Sequence, residues 1–139
     1  MRLPELVFSE ALRLYMASNP SLSAGWLAAL RDPIVGPALQ ELHAEPARKW
    51  TVEELARRVA SSRSILNDRF VRLLGRPPIQ YLVEWRIQLA ASLLRSSTLT
   101  LAAIAAQVGY ESEEAFNRAF KRALGSPPGQ WRQRQAEGA

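Results

Sequence analysis

The apolar positions of the chain recur at helical spacing. Leu66, Phe70, Leu73 and Leu74 stand at i, i+4, i+7 and i+8, and Phe116, Phe120, Ala123 and Leu124 repeat that spacing 50 residues on. Such a run lays one apolar stripe along a helix. No stretch alternates apolar and polar residues as a half-buried strand would. The breakers fall between the periodic segments, at Asn19-Pro20, Asp32-Pro33, Glu45-Pro46, Gly75 to Pro78, Gly109, and Gly125 to Pro128. The pattern predicts helices over 5–17, 22–31, 34–45, 51–60, 62–74, 78–95, 100–108, 112–124 and 127–135.

Local chemistry marks several helix ends. Thr51 with Glu54 three residues later forms a capping-box pair, and Ser62 and Ser112 stand where N-caps are wanted. Ser126 can cap a helix that has Pro127 at its first position. Gly75 and Gly125 each follow an apolar segment, where a C-terminal glycine is expected.

The stripes belong to an internal repeat. A shift of 50 superposes Ser62 on Ser112, Asn67 on Asn117, Phe70 on Phe120, Arg72 on Arg122, Gly75 on Gly125 and Pro77-Pro78 on Pro127-Pro128. Upstream the shift is 49, with Thr51 on Thr100, Leu55 on Ile104, Ala56 on Ala105 and Val59 on Val108. One extra residue therefore lies in the second copy, around Gly109-Tyr110-Glu111. Each copy reads as a short helix, a tight turn and a second helix, with a small alanine at 56 and 105 that lets the two helices cross closely. Two copies are fewer than a solenoid needs. A long helix with Leu82, Trp85, Leu89 and Leu93 on one stripe separates them. Its 17 or so residues would span about 25 Å, a length that sets two units side by side about one DNA turn apart.

Charge sharpens this picture. The net charge is +5; residues 1–49 hold five Lys/Arg and five Asp/Glu, while residues 50–139 hold thirteen and eight. The whole excess lies over the repeat, as expected for a polyanionic partner, although solubility charge alone can look similar. The chain has no cysteine and one histidine, His43. Thiolate metal sites, disulfides and cysteine nucleophiles are excluded, a multi-histidine metal site cannot be assembled, and a reducing cytosol fits. His43 is assigned a structural or surface role. No apolar run approaches the roughly 18 residues of a membrane span, and the N-terminus does not have the form of a signal peptide. No phosphate-binding glycine loop is present. Neither an enzyme nor a cofactor is expected.

The run "IAAQVGYESEEAFNRAFKRALGSPPGQWR" and its counterpart "WTVEELARRVASSRSILNDRFVRLLGRPPIQYLVEWRIQLAASLLRSS" resemble the DNA-binding domain of the AraC/XylS family of bacterial transcription regulators. The resemblance covers residues 50–135, about three-fifths of the chain. The stretch "GWLAALRDPIVGPALQELHAEPARKWT" is similar to the helical segment that follows a cupin-type sensor in one branch of the family. The sensor barrel itself has no counterpart here, so the chain looks like a C-terminal piece or a shortened homologue. The resemblance implies an all-α fold: two helix-turn-helix subdomains joined by a long central helix, preceded by short N-terminal helices. The divisions expected are 1–49 as a helical linker or docking segment, 51–75 and 100–125 as the helix-turn-helix units, 78–95 as the linker helix and 127–135 as a C-terminal helix.

The implied function is sequence-specific binding of double-stranded DNA, with one recognition helix in each of two adjacent major grooves. In a helix-turn-helix the residues near the start of the second helix reach base edges. Carried over by position, the base-reading candidates are Ser64, Asn67 and Asp68 in the first unit and Glu113, Glu114, Asn117 and Arg118 in the second. Asn suits adenine, Arg suits guanine, and Asp or Glu can accept from cytosine N4. Asp68 departs from the family, in which many members carry Arg, and Ser64 is short. Glu113 and Glu114 have two readings, as base acceptors or as acids favoured at a helix N-terminus. Phosphate contacts are expected from Arg63, Arg69, Arg72, Arg76, Lys121, Arg122 and Arg132. Trp50, Trp85 and Trp131 read as packing residues rather than base-stacking platforms.

Double-stranded DNA is thus the expected partner, with RNA polymerase a further candidate and a cytoplasmic, nucleoid-associated location. The apolar helices of residues 1–49 could dock a sensor domain or a second copy, and a helical protein-docking module is the alternative function. Some repair methyltransferases carry a similar module, but their chemistry needs a cysteine acceptor that this chain lacks.

Overall fold

The computed structural model describes residues 5–138. Among them are nine helices and no strand: α1 (Glu5–Ser18), α2 (Pro20–Arg31), α3 (Val35–Ala44), α4 (Val52–Arg58), α5 (Arg63–Leu74), α6 (Pro78–Ser96), α7 (Leu101–Gln107), α8 (Glu113–Leu124) and α9 (Pro128–Glu137). The all-α architecture expected from the spacing is the observed one, and helix ends differ from the expected ones by at most two residues. Residues 1–4 of the expected N-terminal segment lie outside the described residues.

Four helix starts are set by the side-chain oxygen of the N-cap, whereas the Ser126 cap expected for α9 does not form, because Pro127 is itself the N-cap and Pro128 the first helical residue. Thr51, Ser62, Thr100 and Ser112 each accept a hydrogen bond of 3.1 Å from the backbone N–H three residues on. Only half of the expected capping box at Thr51 forms. The Glu54 carboxylate turns to Arg48, accepting from its Nε at 2.7 Å. At the other end of the recognition helices, Gly75 (φ 79°) and Gly125 (φ 88°) adopt the left-handed conformation that closes a helix C-terminus. Asn19-Pro20 is not a break between distant elements. Pro20 sits in the first turn of α2, where its missing N–H costs nothing, so α1 and α2 are separated by Asn19 alone.

Helices α1, α5, α7, α8 and α9 all pack on α6. α1 runs along it, burying Val7, Ala11 and Tyr15, and the second helix-turn-helix and α9 pack against it as well. Helix α2 crosses α5 so closely that a Cβ on Gly25 would overlap the carbonyl oxygen of Leu73. The helices of residues 1–49, which could dock a sensor domain or a second copy, turn most of their apolar side chains inward: Leu22, Trp26, Ala29, Val35, Ala38, Leu39 and Leu42 all join the common core. The segment is part of the same body as the first helix-turn-helix, because α1–α3 supply the cover that α5 and α6 lack. Leu6, Leu27 and Leu30 remain exposed. One expected core position also differs, since Ala123 is exposed while Phe116 and Phe120 are fully buried.

The three tryptophans read as packing residues behave as such. Trp85 is fully buried. Trp50 donates its indole N–H to the Glu45 carbonyl at 2.9 Å, and Trp131 packs edge-on against Phe120. His43 lies among the rings of Phe8, Trp26, Tyr81 and Trp85, with its Nε2 2.6 Å from the Tyr81 hydroxyl. Loss of hydration pushes its pKa down to about 4, so the imidazole is neutral in the folded protein.

Two outcomes follow. Below its ordinary pKa of about 6.5, His43 binds a proton in the unfolded chain but not in the fold. Its contribution to stability therefore falls as pH drops from about 6.5 to about 4. The loss reaches about 3 kcal/mol at the lower end. Urea unfolding of the wild type and His43→Gln across this window should show a steeper acid loss for the wild type; parallel curves would contradict the assignment. Gly25→Ala should force α2 away from α5 and cost at least about 2 kcal/mol, read as a lowered thermal midpoint.

Candidate nucleic-acid interface

The two helix-turn-helix units, α4–α5 and α7–α8, are built alike down to their turns. The N–H of Ser61 returns to the Ala56 carbonyl at 2.9 Å, and the N–H of Tyr110 to the Ala105 carbonyl at 2.8 Å. Ala60 (φ 54°) and Gly109 (φ 103°) hold the same left-handed position. Since Ser61 matches Tyr110 while Ser62 matches Ser112, the extra residue of the second unit is Glu111. It forms an ion pair with Lys49, tying that turn to the segment ahead of α4. At Gly109 a Cβ would meet the Ala47 Cα at 2.9 Å and the Arg86 guanidinium at 3.0 Å. Alanine there would be crowded as well as left-handed, whereas Ala60 stands exposed.

Each unit is pinned by an arginine from the helix that follows it. Arg86 of α6 donates to the carbonyls of Pro46 (2.7 Å) and Arg48 (2.8 Å), just ahead of α4. Arg132 of α9 donates to the carbonyls of Leu94 (2.9 Å), Ser97 (2.8 Å) and Leu99 (2.6 Å), just ahead of α7. These charged donors satisfy carbonyls that neither helix can pair internally.

Three expected phosphate contacts are corrected by this geometry. Arg132 is committed to the three carbonyls. Arg76 is buried, donating to the Tyr15 hydroxyl at 3.3 Å and to Glu84 at 3.4 Å. Arg69 bonds Asp32 at 3.2 Å, whose carboxylate also caps the start of α3 through the N–H groups of Ile34 and Val35. The Asp32 pKa is held below its usual value by those N–H groups and by the Arg69 charge, which together outweigh its partial desolvation. The sequence signal was misleading because a periodic arginine looks the same whether its partner is a phosphate or an internal carbonyl.

The remaining charged groups lie on the outer faces. Arg72, Arg118, Lys121 and Arg122 are exposed and, among the described residues, form no ion pair or side-chain hydrogen bond. Arg63 is exposed and meets exposed Glu53 at 2.9 Å, a solvated pair that a phosphate can replace at little cost. Arg57, not singled out from the sequence, is also exposed without an ion pair.

Among the base-reading candidates, Ser64, Asp68, Glu113, Glu114 and Arg118 are exposed. Residues 64 and 68, like 114 and 118, are four apart and stacked on one helix face. Asn67 and Asn117 stand half-buried on the flank. The Asn117 Oδ1 is buried with no hydrogen-bond partner. The bidentate adenine pairing expected of Asn117 needs that oxygen as well as its NH2 group, so it is not available in this conformation. Ile65, which the sequence reading passed over, is 47% exposed at the start of α5.

A family model described as a helix-turn-helix domain matches residues 55–134. The chain is 50% identical over 127 residues to a putative AraC-like transcription regulator of Streptomyces lividans, covering 91% of this chain and 42% of that protein. It is 39% identical over 131 residues to the HTH-type transcriptional regulator AlkR of Acinetobacter baylyi, covering 94% of this chain and 42% of that protein. Among solved structures it is similar to the DNA-binding domain of the global transcriptional factor AdpA in complex with a target DNA. There the TM-score is 0.67 at 32% identity, over 73% of this chain and 91% of that one. The chain belongs to the AraC/XylS family. It spans about two-fifths of the length of the curated relatives it matches. Within this AraC/XylS domain, no group of three or more His, Asp or Glu able to hold a metal is found among the described residues, and no helix there is long and apolar enough to cross a membrane.

The division of the arginines is open to direct test. Arg132→Ala should lower stability by about 2 kcal/mol, since it strands three carbonyls, and should leave the salt dependence of DNA binding unchanged. Arg122→Ala should leave the thermal midpoint within a degree or two and reduce the salt slope by about 1. The reverse pattern would return Arg132 to the phosphate contacts.

Proposed function

We propose that this chain is the sequence-specific double-stranded DNA-binding module of a transcription regulator, placing α5 and α8 in adjacent major grooves. The observation that carries it is the pair of equivalent helices whose outer faces keep Arg72, Arg118, Lys121 and Arg122 free of internal partners, while the arginines behind them are held inside the fold. Base reading is assigned to Ser64, Asp68, Glu113, Glu114 and Arg118, with Asn67 and the amide group of Asn117 on the flank. Phosphate contact is assigned to Arg63, Arg72, Lys121 and Arg122. α6, 19 residues and so about 28 Å long, sits between two units meant for grooves that repeat about every 34 Å. The AdpA domain's complex with a target DNA supports the same reading by likeness.

The relatives' names place such domains in transcription regulators. A regulator of this kind would act on the nucleoid in the cytoplasm, without enzymatic activity of its own, and would communicate with RNA polymerase or with a sensing region. Exposed Leu27 and Leu30 on α2 favour a protein contact there, as a secondary role of the N-terminal helices.

Titration of duplex selected from a random pool, at several salt concentrations, tests the proposal. Preference over scrambled competitor with a falling log-log salt slope is expected; equal binding to all duplexes would end it. Arg118→Ala should weaken the selected site about ten-fold or more and relax discrimination at one base position. An equal loss on every sequence would make Arg118 a phosphate contact instead.

A further inference from the structure

The two recognition helices, alike in backbone, carry different chemistry on their reading faces. The outer face of α8 holds Glu114, Arg118, Lys121 and Arg122. The corresponding face of α5 holds Ser64, Asp68, Val71 and Arg72, and beside them Ile65. Ile65 is 47% exposed and is not among the residues packed against the core. With Asp68 and Arg72 it stands at i, i+3 and i+7, so all three share one side of the helix. Its counterpart in the second unit is half-buried Ala115. Both are the third residue of their helices, the one whose N–H bonds the N-cap serine.

Single exposed apolar residues are ordinary on protein surfaces. Ile65 differs in where it stands. The N-terminal turn of a recognition helix is the part that reaches base edges. Beside Ile65, Ser64 is short and Asp68 carries a negative charge. Neither can make the long bidentate contact that Arg118 can make in the other unit. Val71, also exposed, lies in the second half of α5, away from that turn. The major-groove edge offers one apolar feature, the C5-methyl group of thymine. A branched aliphatic side chain gains from covering it by the same burial that drives core packing.

We propose that Ile65 is a specificity-determining residue that packs on a thymine C5-methyl group in the groove read by α5. The inference rests on the DNA-binding function proposed above. It makes the two half-sites chemically unequal. The α8 half is read through hydrogen bonds and charge. The α5 half is read through a methyl contact, with Asp68 favouring a neighbouring cytosine through its N4 amino group.

Replacing thymine by uracil removes the methyl group and leaves the hydrogen-bonding edge unchanged, so it isolates this contact. With the pool-selected duplex, each thymine is replaced in turn by uracil, and binding is measured for the full chain and for Ile65→Ala. Alanine is a good helix former and the site is exposed, so the variant should fold as the wild type does. The half belonging to α8 is identified by the bases at which Arg118→Ala loses discrimination. The expected result is one thymine in the other half whose replacement weakens the wild type about four-fold, the value of one buried methyl group, and leaves Ile65→Ala unchanged. Equal losses in both proteins would overturn the proposal, as would the absence of any uracil-sensitive thymine in that half. In either case the preference for the selected duplex would remain, so the DNA-binding function would stand. Loss of that preference altogether would remove the function and this inference with it.

Discussion

The burial of α6 is the constraint on which the rest of the molecule depends. Eleven of its nineteen residues are buried, among them Tyr81, Leu82, Trp85, Leu89, Leu93 and Leu94. A helix apolar on so much of its circumference cannot stand as a solvent-exposed linker. It must be covered on several sides, and the chain provides the cover from three sources. Helices α1 to α3 close over Tyr81 and Trp85. The first helix-turn-helix packs at its start, and the second, with α9, at its end. The two recognition helices are thereby held on one scaffold, not merely tethered to each other. That arrangement suits the two-groove binding proposed for this chain, since any freedom between the units would have to be lost on binding.

Polar groups complete what the apolar core begins. Arg86 and Arg132 each reach back from the helix following a helix-turn-helix unit to pair the carbonyls of the segment preceding it. The two are not matched by the repeat shift of 50, since Arg132 falls on Leu82 and Arg86 lies one turn further along. The same physical role, a charged donor to carbonyls beside a helix start, is filled twice from slightly different positions. The Lys49–Glu111 pair and the close approach of Gly109 to Ala47 and Arg86 join the second unit's turn to the entrance of the first. The one residue by which the copies differ in length is thus used at their junction.

The sorting of the basic residues shapes the electrostatics of the outer surface. The net +5 of the chain arises wholly after residue 49, yet within that region Arg58, Arg69 and Arg76 are paired inside the fold, with Glu41 and Glu45, with Asp32 and with Glu84. What remains outward without an ion pair includes Arg118, Lys121 and Arg122 of α8, with Arg57 on α4 and Arg72 on α5. The second unit therefore carries more unpaired positive charge than the first. The first offers a more neutral face with an aliphatic side chain at its tip. An asymmetric duplex site is the natural complement of such a surface.

Much of this was legible in the sequence, and for identifiable reasons. Period, breakers and caps are local properties, so nine helices and their ends could be read from Leu66, Phe70, Thr51, Ser62, Gly75 and their repeats. The repeat and the family resemblance located both recognition helices, and the exposed positions Ser64, Asp68, Glu113, Glu114 and Arg118 fell where spacing put them. Tertiary structure alone decided the partners of long charged side chains. Arg69, Arg76 and Arg132 look like surface cations in sequence, but their guanidinium groups reach 37, 61 and up to 38 residues along the chain to find acceptors. It also decided that residues 5–44 belong to the core, because an amphipathic helix announces an apolar face without saying what will cover it. Sequence sets the chemistry each helix can offer; which of it stays outside depends on what the other helices bury.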